Sequence, residues 1–433
     1  MLTSLLLLPF LATPQEPISP ELLETVGKKA VTSAEISADD LRLHIGYLAS
    51  DELEGRGSGR RGGALAAEYF VSQWKRLGLK PGNGKSYLHE FEVNDREKGK
   101  RIKLTCRNTC AILPGTDPKM KDKYLVIGGH HDHAGLGEPM TGGMGAYGEI
   151  HNGADDNASG SSGVLELAEY FTAHPLKHPI LFLSFSAEER GLLGSKAFVK
   201  DKVINPKKML AMINLDMIGR MRDDYLFVGG MGTAKEFHEI LDPVFAKSSL
   251  NLDLSDKGEA PSDNTSFYHG GVPALFFFTD IHDDYHMPGD DADGILYDEE
   301  VQILNIVKDC AIALDQVKKL KFTSNDGMGM PPDFMERNMM HFQHAMERKQ
   351  KLGKLGVTPE EGKEVIKAKK VREDSAADQA GLKAGDKLLS IEGRAMVTIL
   401  DMRRALGGKM KGETVEVVYS RSGKSHTATI TLQ

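Results

Sequence analysis

Histidine and carboxylate residues able to ligate a metal are gathered in a few short segments of the chain. Six of the 15 histidines lie within residues 130–151 and 282–286. With neighbouring carboxylates they form five polar segments: GGHHDHAG (128–135), GADDNASG (153–160), SFSAEERG (184–191), NLDMIGR (214–220) and DYHMPGDDAD (284–293). Imidazoles and carboxylates without cysteine suit zinc or a similar divalent metal in a hydrolytic site.

Four of these segments lie at the end of an apolar run, or shortly after it, and each such run predicts a buried strand. The predicted strands are YLVIGG (124–129), ILFLSFS (180–186), MLAMINL (209–215) and ALFFFT (274–279). Helices are predicted between and around them at 62–77, 161–171, 192–200, 234–248 and 298–320. Because ligands bind at the carboxyl ends of strands in open α/β sheets, these polar residues are expected to converge there.

The alternation predicts an α/β fold with a mixed, mostly parallel central sheet between helices. Gly and Pro residues in TSNDGMGMPPD (323–333) end this domain. A connecting helix is predicted over 334–351, with a packing face formed by Met335, Met339, Met340 and Met346. The predicted units are a signal peptide (1–20), the α/β domain (21–325), a linker with the connecting helix (326–351) and a small β-rich domain (352–433).

The five segments, in this order, resemble the M28 family of co-catalytic dizinc peptidases. LEGRGSG (53–59) resembles the same family, and the resemblance covers roughly residues 38–320. It implies a zinc-exopeptidase-like sandwich and an enzyme that removes N-terminal residues from peptides. Two alternatives stay open: another hydrolase on this scaffold, such as a carboxypeptidase or a glutaminyl cyclase-like enzyme, and a non-catalytic binding protein.

The resemblance also implies roles for individual residues and two zinc ions per chain. His130 and Asp216 would ligate one metal, Glu189 and His286 the other, and Asp156 would bridge both. Glu188 would be the general base, and Tyr285 would polarise the scissile carbonyl. The carboxylate of Asp132 would fix the tautomer of His130.

A charge count supports this ligand set. Two divalent cations bring +4, which three ligand carboxylates and a bridging hydroxide neutralise, so Glu188 is a surplus carboxylate free to take a proton. Asp155 is interpreted as a helix N-cap. Four further histidines could line the pocket, but each is interpreted as a residue behind the ligands or on the surface, and no role is assigned to them: His131, His133, His151 and His282.

The C-terminal unit resembles a PDZ domain of the type attached to bacterial proteases. The resemblance rests on Lys354-Leu355-Gly356-Val357, on AGLKAGD (380–386) and on Ile391-Glu392-Gly393. It implies a C-terminal peptide ligand whose carboxylate is captured by the turn at Leu355–Val357. The alternative is a module used only for packing or self-association.

Composition and charge limit the remaining classes. The chain is 40% hydrophobic and 27% charged, which excludes a disordered protein. A net charge of 54 − 62 = −8 argues against a nucleic-acid partner, although residues 341–433 carry 18 basic and 12 acidic residues. The apolar run Leu2–Ala12 predicts a signal peptide, and hence an exported protein with no transmembrane anchor in its mature form. Whether Cys106 and Cys110 pair is left open.

Overall fold

The computed structural model describes residues 33–97, 100–138, 140–144, 148–360, 362 and 364–433. The run Leu2–Ala12, which carries the signal-peptide prediction, lies outside these residues. Within the described ranges, none of the helices combines the length and the apolar character needed to cross a membrane. The strands of this part of the chain form one large mixed sheet and one small antiparallel sheet.

The large sheet has parallel strands at its centre and antiparallel strands at its flanks. Its strands are β1 (Lys80–Pro81), β2 (Leu88–Glu97), β3 (Lys100–Leu113), β4 (Tyr124–His130), β5 (Ile180–Phe185), β6 (Met209–Leu215), β7 (Tyr225–Gly229), β8 (Asn251–Leu254) and β9 (Ala274–Phe278). They lie in the order β1-β3-β5-β4-β6-β9-β7-β8, with β2 paired to β3. The predicted mixed sheet is confirmed. Its parallel pairs are those of the central run β5-β4-β6-β9 and the edge pair β7-β8.

The central strands are visible in the sequence because both of their faces are buried. Every residue of β5 and β6 is buried, so these strands read as unbroken apolar runs. Helices cover the faces of the sheet: α1 (Ala38–Leu48), α2 (Arg61–Arg76), α3 (Gly160–Ala173), α4 (Leu193–Asp201), α5 (Phe237–Phe245), α6 (Asn264–His269) and α7 (Tyr297–Leu314). This packing places the carboxyl ends of β4, β5, β6 and β9 at one edge.

Two predicted helices are shorter in the structure. Helix α7 ends at Leu314 and not at residue 320, and α5 covers Phe237–Phe245 within the predicted 234–248. The end of α7 has a local cause. The carboxylate of Asp315 accepts hydrogen bonds from the backbone N–H groups of Lys177 and His178 at 3.0 and 2.8 Å, which ties the end of the helix to a neighbouring loop.

The hairpin of β2 and β3 was not predicted. Its strands pair antiparallel over ten residue pairs, from Leu88↔Thr109 to Glu97↔Lys100. Within residues 90–96 and 100–103 most side chains are exposed, and many of them are charged. This part of the hairpin therefore lacks the continuous apolar run that identifies the central strands.

The small sheet belongs to a second domain with its own core. Its strands are β10 (Val357–Glu360), β11 (Lys367–Val371), β12 (Lys387–Ile391), β13 (Arg394–Ala395), β14 (Thr414–Arg421) and β15 (Lys424–Thr431). They lie in the order β10-β11-β12-β14-β15, and β13 pairs with β12. Helices α9 (Ala376–Gln379) and α10 (Ile399–Leu406) follow β11 and β13. The core includes Ile366, Leu388, Ile391, Val417 and Ile430, each at most 1% exposed.

Helix α8 (Phe334–Lys351) joins the two domains, as predicted, but the predicted packing face is wrong. Met335, Met339, Met340 and Met346 are 74, 62, 52 and 44% exposed. The buried face is formed instead by Phe334, His341 and Ala345. Apolar residues lie on two sides of this helix, so their spacing alone does not identify the side that packs.

The cysteines do not form a disulfide. Cys106, Cys110 and Cys310 are buried free thiols. Cys106 and Cys110 lie four residues apart on strand β3, a separation of about 13 Å at the usual rise of a strand. Disulfides need Cα atoms within about 7 Å, so these two residues cannot pair in this fold.

Ion pairs connect the C-terminal part of the chain to the α/β domain, and two of them lie near the small domain. Arg348 of α8 contacts Glu149 at 2.9 Å, and Arg404 of α10 contacts Glu54 at 3.2 Å. The apolar cores on either side remain separate clusters. The predicted domain limits at 325 and 351 stay predictions.

We expect residues 352–433 to fold without the rest of the chain, because their core draws on no residue of the α/β domain. Urea unfolding followed by circular dichroism should give one cooperative transition. Leu388→Ala in this fragment should lower the unfolding free energy by about 2–5 kcal/mol. An unfolded fragment beside a folded full-length protein would show that the domain depends on the contacts of Arg348 and Arg404.

Candidate active site

The five polar segments meet at the edge of the sheet where the parallel strands end. His130 is the last residue of β4, Asp216 follows β6, and Glu188 and Glu189 lie just beyond β5. Asp156 lies in an irregular turn, Ala154–Ser159, that leads into α3. His286 comes from the loop after β9. The sheet thus brings residues from five separate segments within a few ångströms of one another.

The first group of donors is formed by His130, Asp156 and Asp216, all buried. His130 Nε2 lies 3.4 Å from Asp156 Oδ1 and 3.4 Å from Asp216 Oδ1. The other ring nitrogen, Nδ1, donates to the backbone carbonyl of Asp132 at 3.0 Å. This bond leaves the lone pair of Nε2 facing the two carboxylates, the tautomer that a metal ligand needs.

The second group shares Asp156 with the first. His286 Nε2 lies 3.0 Å from Asp156 Oδ2 and 3.3 Å from Glu189 Oε2. Its Nδ1 donates to the carbonyl of Gly142 at 3.2 Å. Gly142 has φ +69°, and a Cβ at this position would lie 2.7 Å from the imidazole, so glycine is required there.

His133, which was given no role from the sequence, belongs to this second group. Its Nδ1 donates to Glu189 Oε1 at 2.7 Å, and it is completely buried. The bond occupies one oxygen of Glu189 and leaves Oε2 facing His286. His133 therefore sets the orientation of the Glu189 carboxylate.

The donor separations around His130 fit a metal ion better than they fit hydrogen bonds. Two atoms that each lie ~2.1 Å from a tetrahedral zinc ion are about 3.4 Å apart. The His130 contacts have this separation, which is long for a hydrogen bond. The donors are imidazole nitrogens and carboxylate oxygens, which suit zinc. The residues present therefore fit a divalent ion such as zinc.

The electrostatics of the cluster also call for added positive charge. Burial raises the pKa values of Glu188 and Glu189 well above the ordinary range of a glutamate. Burial alone would lower the pKa of His286, but the carboxylates of Glu189 and Asp156 outweigh it and raise the pKa to about 9. The side chains thus favour uptake of protons, and bound divalent cations supply the same compensation.

Glu188 and Asp132 are connected through the backbone. Asp132 Oδ1 accepts from the Glu188 N–H at 3.1 Å, and Asp132 Oδ2 accepts from Ser58 Oγ at 2.6 Å. The Asp132 carboxylate stays 3.8 Å from His130 Nδ1, so the carbonyl of Asp132, and not its carboxylate, is the nearer partner of that nitrogen. The carboxylate instead positions the backbone of Glu188.

Tyr285 lines the same cavity as His130, Glu188 and His286. Its ring packs against the imidazole of His286, with centroids 3.9 Å apart. Burial raises the pKa of Tyr285 well above the ordinary value for a phenol. The hydroxyl therefore stays protonated near neutral pH and is able to donate a hydrogen bond.

Asp155 is not a helix N-cap, and that interpretation is corrected. The carboxylate is fully buried, and Oδ1 accepts from the Gly219 N–H at 2.7 Å and from Ser159 Oγ at 3.0 Å. Oδ2 lies 3.3 Å from His282 Nε2. Asp155 thus connects the turn before α3 to the loops after β6 and β9, because a buried carboxylate needs several partners.

Arg56 lies in the LEGRGSG segment, but the sequence does not predict a role for it. Its side chain is completely buried, and it donates to four carbonyls: His131 at 2.7 Å, Leu48 at 2.6 Å, Asn152 at 2.5 Å and Gly153 at 2.8 Å. Burial lowers the pKa of Arg56 to about 10, which still leaves it charged at neutral pH. Arg56 joins the end of β4 to the turn that carries Asp156.

Ser262 also contributes to the site, although no role is assigned to it from the sequence. Its Oγ donates to Asp216 Oδ2 at 2.5 Å and accepts from the side-chain amide of Asn214 at 2.7 Å. One oxygen of Asp216 is thereby occupied, and Oδ1 is left facing His130. Ser262-Asp263 resembles a segment of the M28 family near the site, but Asn264 stands where a histidine is common in that family, so the segment is not among the predicted site residues.

The fold and the donor groups define the class of the domain, which is an α/β domain with a candidate metal site at the carboxyl ends of its parallel strands. The sequence model of peptidase family M28 matches residues 108–310, and that of the PDZ domain matches residues 353–432. The chain therefore carries an M28 peptidase domain followed by a PDZ domain, which confirms both resemblances.

Individual relatives agree with this assignment. A probable zinc metalloprotease of Pyrenophora tritici-repentis is 37% identical over 112 residues, 26% of this chain and 24% of that protein. Aminopeptidase YwaD of Bacillus subtilis is 30% identical over 182 residues, 39% of each chain. The aminopeptidase from Aneurinibacillus sp. strain AM-1 matches 71% of this chain and 100% of its own, with a TM-score of 0.52 and 17% identity, which shows the fold alone. The chain spans less than half the length of these two curated relatives.

Replacement of Arg56 tests how the site is held together. Arg56→Met should lower the free energy of unfolding by more than about 3 kcal/mol, because it leaves four carbonyls without their charged donor. Urea denaturation of the full chain measures the loss. The control is Arg61→Met, whose side chain is 60% exposed and should cost less than about 0.5 kcal/mol. Equal stability of the two variants would contradict the role of Arg56.

Proposed function

We propose that the protein is a zinc-dependent aminopeptidase that removes N-terminal residues from peptides. The observation that carries the proposal is the pair of donor groups that share Asp156 at the wall of a small cavity. His130, Asp156 and Asp216 would hold one zinc ion, and Asp156, Glu189 and His286 the other. Export is part of the proposal and rests on the apolar run Leu2–Ala12.

The reaction is a hydrolysis in which water adds to the scissile carbonyl carbon and the C–N bond then breaks. Two zinc ions, when bound, polarise the carbonyl and make the attacking water more acidic. Glu188 accepts the proton of that water and gives it to the leaving amine nitrogen. Its carboxylate lies 3.9 Å from His130 Nε2, close to the donors yet outside both groups.

Tyr285 donates from its hydroxyl to the carbonyl oxygen, where negative charge develops as water adds. The support is its place in the wall of the cavity, beside Glu188 and His286. A hydrogen bond that strengthens with the developing charge lowers the barrier more than it strengthens binding of the substrate.

The size of the cavity favours an exopeptidase. Its volume is about 270 Å³, slightly below the ~300–1,000 Å³ of pockets that enclose drug-sized ligands. Such a cavity accommodates a terminal residue, whereas an endopeptidase needs a groove open at both ends.

The PDZ domain would bind a second, extended part of a peptide. Strand β10 is the edge of the small sheet, so its outer edge is free to pair with an added strand. The turn at Leu355–Val357 directly precedes it, and Gly356 there has φ +83°. We infer that the N–H groups of this turn would capture the C-terminal carboxylate of the ligand.

The direct test combines metal removal with a choice of substrates. Protein stripped with a chelator should lose activity and regain it when about two zinc ions per chain are restored. The loaded enzyme should cleave an aminoacyl coumarylamide with a free amino group and leave the same compound intact when that group is acetylated. Preference for the acetylated compound, or full activity without metal, would overturn the proposal.

The adjacent glutamates test the assignment of roles. Glu188→Gln should keep both metal ions and lower kcat by roughly 10²–10⁴, equivalent to ~3–5.5 kcal/mol of barrier. Glu189→Gln should lower metal occupancy, because one of the donor groups loses its carboxylate. Metal content by mass spectrometry and kcat at saturating zinc separate the two. The opposite pattern would exchange the roles of these residues.

A further inference from the structure

Part of the wall of the substrate cavity comes from the segment that joins the two domains. Met330 and Phe334 line the same cavity as His130, Glu188 and Tyr285. Both residues lie well beyond position 310, where the match to the peptidase family ends. Phe334 is the first residue of α8 and is only 8% exposed. The cavity is therefore closed by a segment outside the matched peptidase domain.

This wall continues an apolar surface that begins inside the α/β domain. Met330 and Phe334 pack with cavity residues from the loops and strands of the large sheet: Met217, Phe276, Phe278 and Ile281. The rings of Phe278 and Phe334 meet edge to face, with centroids 6.2 Å apart. None of these six side chains is charged. The cavity thus has carboxylates and imidazoles at one end and an apolar surface at the other.

Three contacts hold the joining segment in place. The Gly329 N–H donates to the carbonyl of Glu259 at 2.8 Å, and Arg337 forms an ion pair with Asp280. His341 Nε2 donates to the backbone carbonyl of Tyr285 at 2.5 Å. The segment is therefore anchored on both sides of Phe334, and one anchor acts directly on the residue that precedes His286.

We propose that Met330 and Phe334 complete the subsite for the N-terminal side chain of the substrate and select large apolar residues there. The inference rests on the proposed aminopeptidase function and adds the substrate class. A leucine or phenylalanine side chain fills the apolar end. A charged side chain would lose its hydration without gaining a partner, and an alanine would leave contacts unmade.

The test compares kcat/KM for coumarylamides of Leu, Phe, Ala, Lys and Glu. The unmodified enzyme should favour Leu and Phe. Phe334→Ala should lower kcat/KM for Leu and Phe by about 10- to 100-fold, mainly through KM, with little change for Ala. The matched control is Met335→Ala, because Met335 follows Phe334 on the same helix, is 74% exposed and should leave all five values unchanged.

A second variant keeps the inference testable if Phe334→Ala fails to fold. Met330 is only partly buried, so Met330→Glu should be tolerated and should place a carboxylate beside the side chain of the substrate. We expect kcat/KM for Lys to rise at least 10-fold relative to Leu, with zinc content and melting temperature unchanged.

The outcomes separate this inference from the proposed function. Equal loss on all substrates in Phe334→Ala, with normal zinc content, would overturn the subsite and leave aminopeptidase activity standing. Preference of the unmodified enzyme for Lys or Glu would overturn it as well. Failure of the zinc-loaded enzyme on every free-amino substrate would overturn the proposed function itself.

Discussion

A single buried carboxylate, Asp156, connects the two halves of the site. Its Oδ1 faces His130 and its Oδ2 faces His286, at 3.4 and 3.0 Å. Glu188, Glu189 and Asp216 lie around it, and all of them are largely shielded from water. Four carboxylates so placed repel one another and lose hydration, so the arrangement is stable only where positive charge is supplied at the same place. The rest of the fold has to keep these four carboxylates close together.

Two charged side chains hold the turn that carries Asp156 by binding its backbone groups. Asp290 accepts from the N–H groups of Asp155 and Asp156 at 3.0–3.1 Å, and Arg56 binds the carbonyls of Asn152 and Gly153. One turn of the chain is therefore held by a carboxylate on its amides and a guanidinium on its carbonyls. Both side chains are completely buried, which is affordable only because most of their polar atoms have partners. Flexible surface contacts would not fix Asp156 within hydrogen-bonding accuracy.

The sequence revealed the parts of the fold that one dominant interaction determines. Strands β4, β5, β6 and β9 are buried on both faces, so hydrophobicity alone identifies them, nearly to the residue. The polar segments that follow them were found for the same reason. Hairpin β2–β3 was not predicted, because its residues are divided between core and solvent. Helix α8 has apolar residues on two sides, and its contacts with the neighbouring domain determine which side is buried.

The residues around the site were harder to predict, because their roles depend on contacts between distant segments. Asp132 was expected to act through its carboxylate, yet its carbonyl is the group that meets His130. His133 and Ser262 each occupy one oxygen of a candidate ligand. A hydrogen bond between loops that are more than 40 residues apart leaves no periodic pattern in the sequence. Such contacts appear only when the topology is known.

Helix α8 shows why the functional unit extends beyond the matched peptidase domain. Phe334, at its first turn, contacts the substrate cavity, and His341, two turns later, binds the backbone of Tyr285. Arg348, a further two turns on, pairs with Glu149, which is 8% exposed. One continuous helix thus contacts the cavity, a loop of the peptidase domain and, through its end, the PDZ domain. A helix transmits displacement along its axis, because its backbone hydrogen bonds keep the rise per residue constant. A segment with these contacts forms part of the wall of the candidate site and does more than link the two domains.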